Sequence, residues 1–517
     1  AGCPAVWLQQ IEVGKKTVSG KRERWFKTMQ EVVQKIGGIL WGNLFMYTIM
    51  AIGLYITVRS GFFSFTKFGH IFKNTLGTLK SSKEGSEHQK GTISSFEALC
   101  VAVGGCVGVA NISGVAAAIA VGGPGALFWL WVWAFFGMTL KCAEAYRSKN
   151  EKGEFFGGPS YYIQKGIAKV RGWKIGNVLA WLYGIAFCSQ FILGSQPFAV
   201  SESLQTSFGI PQMATVICYS VILFFVVFKG VSRLAKIFAR AVPFRCAAYV
   251  FMGVIIILLN IREVPGAFAL IFKSAFTGTA AVGGFAGASV KIAMQKGLSR
   301  SVNSNEAGQG SSPMIHSSAD AVHPIRQGLW GSMEVFVDTM VVCTVTALSI
   351  LVTGVWDSGL TSVTLATAAF ESTYGRLGVV FIGLMMFLFA ITSTGGWFTY
   401  YISLINHGFE KNPKVRDAIL GVFKCIFPLM PTLFVGMLVY TGFGANMMWD
   451  IMDVVCVLPV YVNIICVLLL SGDYFKLLKD YKARYMGIGS IEPNFKYFYD
   501  TEPNEAAKQH DAKLLKH

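Results

Sequence analysis

The chain has 517 residues, of which 53% are hydrophobic and 14% are charged. An ordinary soluble domain carries roughly 25% charged residues, so this composition excludes a soluble globular protein. The large apolar content, with 41 Phe against 15 Pro, also excludes a disordered or collagen-like chain. The net charge of +17 is spread over short clusters between long uncharged runs, which is typical of membrane topology rather than of a nucleic-acid-binding patch.

Long apolar segments predict an all-α polytopic membrane protein. A helix needs about 20 apolar residues to cross roughly 30 Å of hydrocarbon, and about eleven segments are long enough. A polar, basic segment, 1–36, precedes the predicted membrane domain, 37–470, and a C-terminal tail, 471–517, follows it. The predicted spans are 37–58, 94–120, 124–146, 177–199, 212–228, 241–260, 266–300, 327–354, 376–405, 417–440 and 446–470.

The connections between these spans alternate between basic and uncharged. Lys and Arg occur in 59–93, 147–174, 229–240, 406–417 and the tail after 470. None occurs in 121–123, 200–211, 355–375 and 441–445. By the positive-inside rule the basic loops are cytoplasmic. We therefore predict a protein of the plasma or inner membrane with a cytoplasmic C-terminus and an external N-terminus, although the basic N-terminal segment opposes this orientation.

Two predicted spans are rich in Gly at mid-membrane depth, at 103–111 and 281–287. If the first span is set aside, these segments begin two five-span units, 94–260 and 266–470. When a unit with an odd number of spans is repeated once, the second copy has the opposite orientation in the membrane. In such repeats, two discontinuous helices meet at the midplane and form an ion and substrate site. The alternative is that Gly only allows helices to pack closely.

Several motifs resemble the alanine or glycine:cation symporter family. The sequence GGPGALFWLWVWAFFG at 122–137 is similar to the family signature, with Leu130 where Met is usual. The resemblance extends from about Trp41 to about Leu470. Further similar motifs are GGPSYYI at 157–163, SNEAG at 304–308, HPIRQG at 323–328 and VFVDT at 335–339.

The resemblance implies the leucine-transporter-like fold of the APC superfamily and sodium-driven uptake of small neutral amino acids such as alanine and glycine. It implies that the stretch from Gly104 to Asn111 is the unwound part of the first core helix, whose amides meet the substrate carboxylate. The implied substrate-binding residues are Gly105, Cys106, Asn111, Gln196, Phe285 and Trp397. The implied sodium ligands are the carbonyls of Gly104 and Val107 and the hydroxyls of Thr392 and Ser393.

Some expected pocket positions depart from the family pattern. Cys106 stands where Thr is usual, and Ala110 stands where Gly is usual. The other departures are Pro197 and Phe198 beside Gln196, and Phe398 and Thr399 after Trp397. A different small amino acid or solute, carried by the same fold, therefore stays an alternative to alanine and glycine.

Acidic residues within the predicted spans are candidates for ion coupling or for structure. An unpaired charge at the position of Asp338 would cost roughly 2.5–3.5 kcal/mol or more, so Asp338 should face the interior and have a partner. It is the coupling candidate if a proton drives transport. We favour sodium, because the implied carbonyl and hydroxyl ligands suit a hard cation. Glu306 is predicted to brace a loop, and Glu144 is predicted to form a structural pair with Lys141.

Other function classes find less support in the sequence. No HExxH, GxSxG or GxxxxGK[ST] motif occurs, so we predict no enzyme. A channel remains an alternative, although selectivity filters usually arise by symmetric repetition around one pore. The 11 cysteines contain no CxxC pair, and His316 and His323 lack metal-ligand company, so we predict no cofactor beyond a co-transported sodium ion. The predicted partners are a small neutral amino acid, sodium and membrane lipid, without nucleic acid.

Overall fold

The computed structural model is mainly helical. It describes residues 25, 27–80, 93–144, 147–149, 155–192, 194–228, 230–277, 289–319, 321, 323–442, 445–492 and 495. The first helices are α1 (Lys27–Leu40), α2 (Asn43–Arg59), α3 (Phe63–Thr66), α4 (Phe68–Asn74), α5 (Ser95–Cys106), α6 (Ser113–Gly122) and α7 (Ala126–Ala143). The next are α8 (Pro159–Tyr162), α9 (Ile175–Cys188), α10 (Ser195–Phe208), α11 (Gln212–Val227), α12 (Val231–Leu259), α13 (Val264–Thr277), α14 (Val290–Asn305) and α15 (Ser312–His316).

The remaining helices complete the membrane domain and continue past its predicted end. They are α16 (Pro324–Val335), α17 (Thr344–Val352), α18 (Ser362–Tyr374), α19 (Arg376–Gly408), α20 (Pro413–Ile426), α21 (Met430–Thr441) and α22 (Ala445–Met486). Two π-helical segments, Ile163–Val170 and Phe336–Cys343, extend α8 and join α16 to α17. The strands β1 (Arg147–Lys149) and β2 (Phe155–Gly157) form a short antiparallel ribbon in one predicted loop.

Among the described residues, seven helical stretches are long and apolar enough to cross a membrane, or nine if each of two bent pairs is one span. The prediction of an all-α polytopic membrane protein is therefore confirmed, whereas the number of eleven spans stays a prediction. The segment predicted at 212–228 is a shorter apolar helix, α11. The segment predicted at 266–300 contains α13 and part of α14, and its Gly-rich stretch, 281–287 with Phe285, lies outside the described residues.

The first core helix is broken within the predicted Gly-rich stretch. Helix α5 ends at Cys106, and Val107 leaves the helical conformation. A 61° bend separates α5 from the stretch Val109–Gly122. Gly108 is extended, and its N–H donates to Asn111 Oδ1 at 2.8 Å. An asparagine side chain thus replaces the carbonyl that a continuous helix would offer.

The break is shorter than predicted, because Gly104 and Gly105 are helical. These two residues allow close packing instead. A Cβ added at Gly396 of α19 would lie 2.5 Å from Gly105 Cα, and one added at Gly104 would lie 2.7 Å from Phe238 Cδ2. Gly104 and Gly105 are therefore required for close helix packing, and the helix is broken only at the turn that follows them.

A second break, which the sequence pattern did not predict, lies at 306–311 between α14 and α15. Glu306 has a left-handed backbone conformation, with φ 57°. The helix ends there because Asn305 Oδ1 accepts a hydrogen bond from the Ala307 N–H at 2.9 Å. Helix α14 packs on α6 and α7, which brings its end close to the first break.

Candidate substrate and ion site

The break after α5 and the end of α14 meet at Asp338. Asn111, beside the first break, donates a hydrogen bond from Nδ2 to Asp338 Oδ1 at 2.6 Å. Ser304, in the last turn of α14, donates from Oγ to Asp338 Oδ2 at 2.8 Å. Asp338 is fully buried on the π-helical segment Phe336–Cys343, and such segments are frequent at functional sites. One carboxylate therefore connects both breaks.

Asp338 has neutral partners only, within the part of the chain that the structure describes. Thr339 donates a third hydrogen bond, from Oγ1 to Oδ2 at 2.7 Å. No Lys, Arg or His nitrogen of the described residues lies within 4.0 Å of the carboxylate. The hydroxyl oxygens of Ser304 and Thr339 keep lone pairs while they donate, so this cluster can hold a cation or a proton.

The side-chain amide of Gln196 joins the first break to a small cavity. Its Oε1 accepts a hydrogen bond from the Val109 N–H at 3.0 Å and satisfies a donor that the break leaves without a helical partner. Gln196 and Trp397, both predicted from the sequence, line one cavity of about 40 Å³. Other residues that line it include Gln190, Ser195, Pro197, Thr394 and Tyr401.

Trp397 forms an aromatic wall of this cavity. Its ring centroid lies 5.7 Å from that of Phe187. Among the residues that depart from the family pattern, Pro197 lines the cavity, whereas Phe398 is fully buried and stacks on Phe423 at 5.6 Å. The walls are thus largely apolar and aromatic with a few polar groups, as in other small-molecule sites.

Several predicted substrate residues do not line this cavity. Gly105 packs against α19, and Cys106 Sγ lies 3.8 Å from the Val103 carbonyl of its own helix. Asn111 is fully buried between the first break and Asp338. These three predicted residues therefore lie at the break, behind Gln196, rather than on the cavity surface.

The predicted sodium ligands are not grouped around one open position. Thr392 Oγ1 donates to a carbonyl of its own helix at 2.8 Å, and Ser393 Oγ donates to the Gly105 carbonyl at 2.6 Å. The Gly104 carbonyl accepts a hydrogen bond from Arg245 at 3.5 Å. A guanidinium thus contacts one of the four implied sodium ligands. The sequence did not predict this, although an Arg inside an apolar segment is a signal in itself.

Comparison with known proteins identifies the family. The profile of the sodium:alanine symporter family matches residues 26–495. The chain belongs to this family. The sodium/alanine symporter AgcS of Methanococcus maripaludis is 33% identical over 460 residues, which cover 85% of this chain and 94% of that protein. A Bacillus subtilis protein named "Probable sodium/glutamine symporter GlnT" is 33% identical over 468 residues, which cover 88% of this chain and 91% of that protein.

Among solved structures, a crystal structure of a manganese transporter variant from Eremococcus coleocola has a TM-score of 0.41 and 13% sequence identity, covering 84% of this chain and 88% of that chain. Membership of the symporter family makes this chain a multi-pass membrane transporter and not an enzyme.

In this symporter Lys141 pairs with Glu334, so the predicted pair with Glu144 is wrong. Lys141 Nζ lies 2.6 Å from Glu334 Oε1, and both side chains are buried. Glu144 instead accepts a hydrogen bond from Asn463 Nδ2 at 2.8 Å. The reason is that the Lys141 side chain extends from α7 to α16, where the Glu334 carboxylate lies.

Glu306 and the two histidines have structural partners. The Glu306 carboxylate accepts a hydrogen bond from Ser311 Oγ across the second break. His323 Nδ1 accepts from the Ile325 N–H at 3.1 Å and caps α16, while His316 Nε2 lies 3.0 Å from a carboxylate oxygen of Glu334. Among the described residues, no three or more His, Cys, Asp or Glu form a group that could hold a metal ion.

Proposed function

We propose that this symporter couples the entry of sodium to the uptake of small neutral amino acids such as alanine and glycine. The family and the relatives named for sodium with alanine or glutamine support this. The proposal includes a leucine-transporter-like arrangement of one N-terminal span and two inverted five-span repeats. It also includes a cell-membrane location with an external N-terminus and a cytoplasmic C-terminus. The break after α5 supports the repeat arrangement, because discontinuous helices form the binding site of such transporters.

The observation that carries the proposal is the position of Gln196 between the first break and the cavity. A zwitterionic amino acid needs donors for its carboxylate and acceptors for its ammonium group. Gln196 offers both a donor and an acceptor from one amide. The cavity of about 40 Å³, with Trp397 as one wall, suits a small side chain.

Uptake by the purified protein in liposomes tests this proposal. We expect labelled alanine or glycine to accumulate under an inward sodium gradient, with competition by glycine and alanine and little by leucine. Gln196→Leu should lose uptake, because an unpaired polar group of the substrate costs about 1–3 kcal/mol of binding free energy. Gln205→Leu, at an exposed position of the same helix, is the matched control. Equal uptake by the two variants would exclude Gln196 from the site.

Proton-coupled uptake is a second candidate, and the buried carboxylate of Asp338 favours it. A zwitterion carries no net charge, so its accumulation requires a co-transported cation, and one unit charge crossing 100 mV supplies about 2.3 kcal/mol. Sodium coupling requires that uptake persist when the pH gradient is collapsed. Uptake that follows an imposed proton gradient in sodium-free buffer, and stops in Asp338→Asn, would instead identify Asp338 as the coupling residue.

A further inference from the structure

Arg245 is a buried cation without an acidic partner. It lies in α12 with 1% of its surface exposed, and no carboxylate of the described residues lies within 4.0 Å of it. Its guanidinium carbon lies 4.5 Å from the centroid of the Phe389 ring. Its terminal nitrogens donate only to main-chain carbonyls, which are those of Val103 at 3.3 Å, Gly104 at 3.5 Å, Leu388 at 3.4 Å and Phe389 at 3.2 Å.

One of these four carbonyls, that of Gly104, is an implied sodium ligand, and the other three lie beside it on α5 and α19. The Gly104 carbonyl is available because the Gly108 N–H, its partner in a continuous helix, bonds to Asn111 instead. Thr392 Oγ1 donates to the same two carbonyls of α19 that accept from Arg245. The guanidinium and the hydroxyl of one predicted sodium ligand therefore share the same two carbonyl oxygens.

We infer that the Arg245 guanidinium takes the place of a sodium ion between α5 and α19. Arginine is effectively always protonated, so the positive charge at this position is permanent. A second monovalent cation about 4 Å away would bind about a thousand-fold more weakly at an effective dielectric constant of about 20. The chain thus supplies its own cation at this position, and no sodium ion binds there.

This inference rests on the proposed function and changes which residues determine the sodium requirement. Ser393 bonds across the interface to Gly105, Thr392 bonds within α19, and neither residue sets the sodium affinity. A cation that drives uptake must bind elsewhere, and the Asp338 cluster offers the oxygens for it.

Sodium binding to the purified full-length chain in detergent tests the inference without any transport. The melting temperature is measured against sodium concentration, with choline replacing sodium so that the ionic strength stays constant. We expect the double variant Thr392→Val, Ser393→Ala to keep the sodium dependence of the wild type. Loss of a true ligand would weaken the sodium affinity about ten-fold or more, and that result would overturn the inference.

The complementary variant is Arg245→Met, which removes the charge and leaves the carbonyls. It should gain a second sodium-dependent rise in melting temperature beyond that of the wild type, and adding Thr392→Val and Ser393→Ala should remove that gain. Arg240→Met, at an exposed position of the same helix, is the matched control. A cooperatively melting Arg245→Met protein that gains no second sodium-dependent rise contradicts the inference.

If Arg245→Met does not fold, the double variant Thr392→Val, Ser393→Ala tests the inference by itself, because this variant keeps the Arg245 guanidinium. These experiments measure sodium binding and not uptake, so their result does not depend on whether the proposed function is correct. A wild-type protein that accumulates neither alanine nor glycine under any gradient would overturn the proposed function and leave the binding result standing.

Discussion

Buried charges in this symporter are compensated in two ways. Lys141 and Glu334 form an ion pair at 2.6 Å, and removing either partner would leave the other buried and unpaired. Asp338 is held by an amide and hydroxyls, and Arg245 by main-chain carbonyls. A charge that neutral dipoles hold inside a membrane protein marks a functional position, where an ion binds or where a side chain replaces one.

Trp397 lines the cavity and is predicted to limit the size of the substrate side chain. Trp397→Ala should weaken uptake of glycine and alanine and admit larger amino acids, because the void removes contacts that only a small ligand needs. One methylene in an apolar pocket is worth about 1–3 kcal/mol, so discrimination against leucine should fall at least about ten-fold. Competition in liposomes measures this, with the half-exposed Trp181→Ala as control. Selectivity equal to that of the control would place Trp397 outside the site.

At the scale of helices, side chains and packing decide where a helix breaks and where one forms. The second break depends on the Asn305 side chain and on a left-handed Glu306, which no hydropathy pattern registers. Helix α18 lies in the predicted loop 355–375, because a helix of 13 residues is too short to cross the membrane. Its buried residues Val363, Ala366 and Phe370 recur at helical spacing, so periodicity could have predicted it.

Substitution of Gly396 tests the contact between α5 and α19 directly. A methyl group there would lie 2.5 Å from Gly105 Cα, so the two backbones would have to separate. We expect Gly396→Ala to lose about 1–3 kcal/mol of unfolding free energy. Gly421→Ala, in α20 with nothing within 4 Å of the added Cβ, should lose none. Thermal unfolding in detergent measures both, and equal melting temperatures would contradict the tight interface.

At the scale of the whole molecule, the charge alternation predicts the orientation. In a parent protein whose native cysteines are replaced, Lys174→Cys and Ser358→Cys each place a single thiol at an exposed position of one of the two predicted sides. A membrane-impermeant thiol reagent outside intact cells should modify the Ser358→Cys variant only, because the basic loop 147–174 is retained in the cytoplasm and 355–375 carries no Lys or Arg. The parent protein gives the background labelling. Modification of Lys174→Cys alone would mean the opposite orientation.

The sequence by itself determined the class of the molecule, its family and the Gly-rich stretch in which the first helix breaks, because hydropathy over about 20 residues and local Gly content need no knowledge of packing. Only the tertiary structure decided that Lys141 pairs with Glu334, that both breaks meet at Asp338 and that Arg245 lies between α5 and α19. These contacts join residues that are far apart along the chain and depend on which helix faces meet. An arginine in an apolar segment gives the same sequence pattern whether its side chain reaches the membrane surface or bonds to buried carbonyls. Only the packing of α5 against α19 shows that the Arg245 guanidinium lies among buried carbonyls, where it can replace an ion.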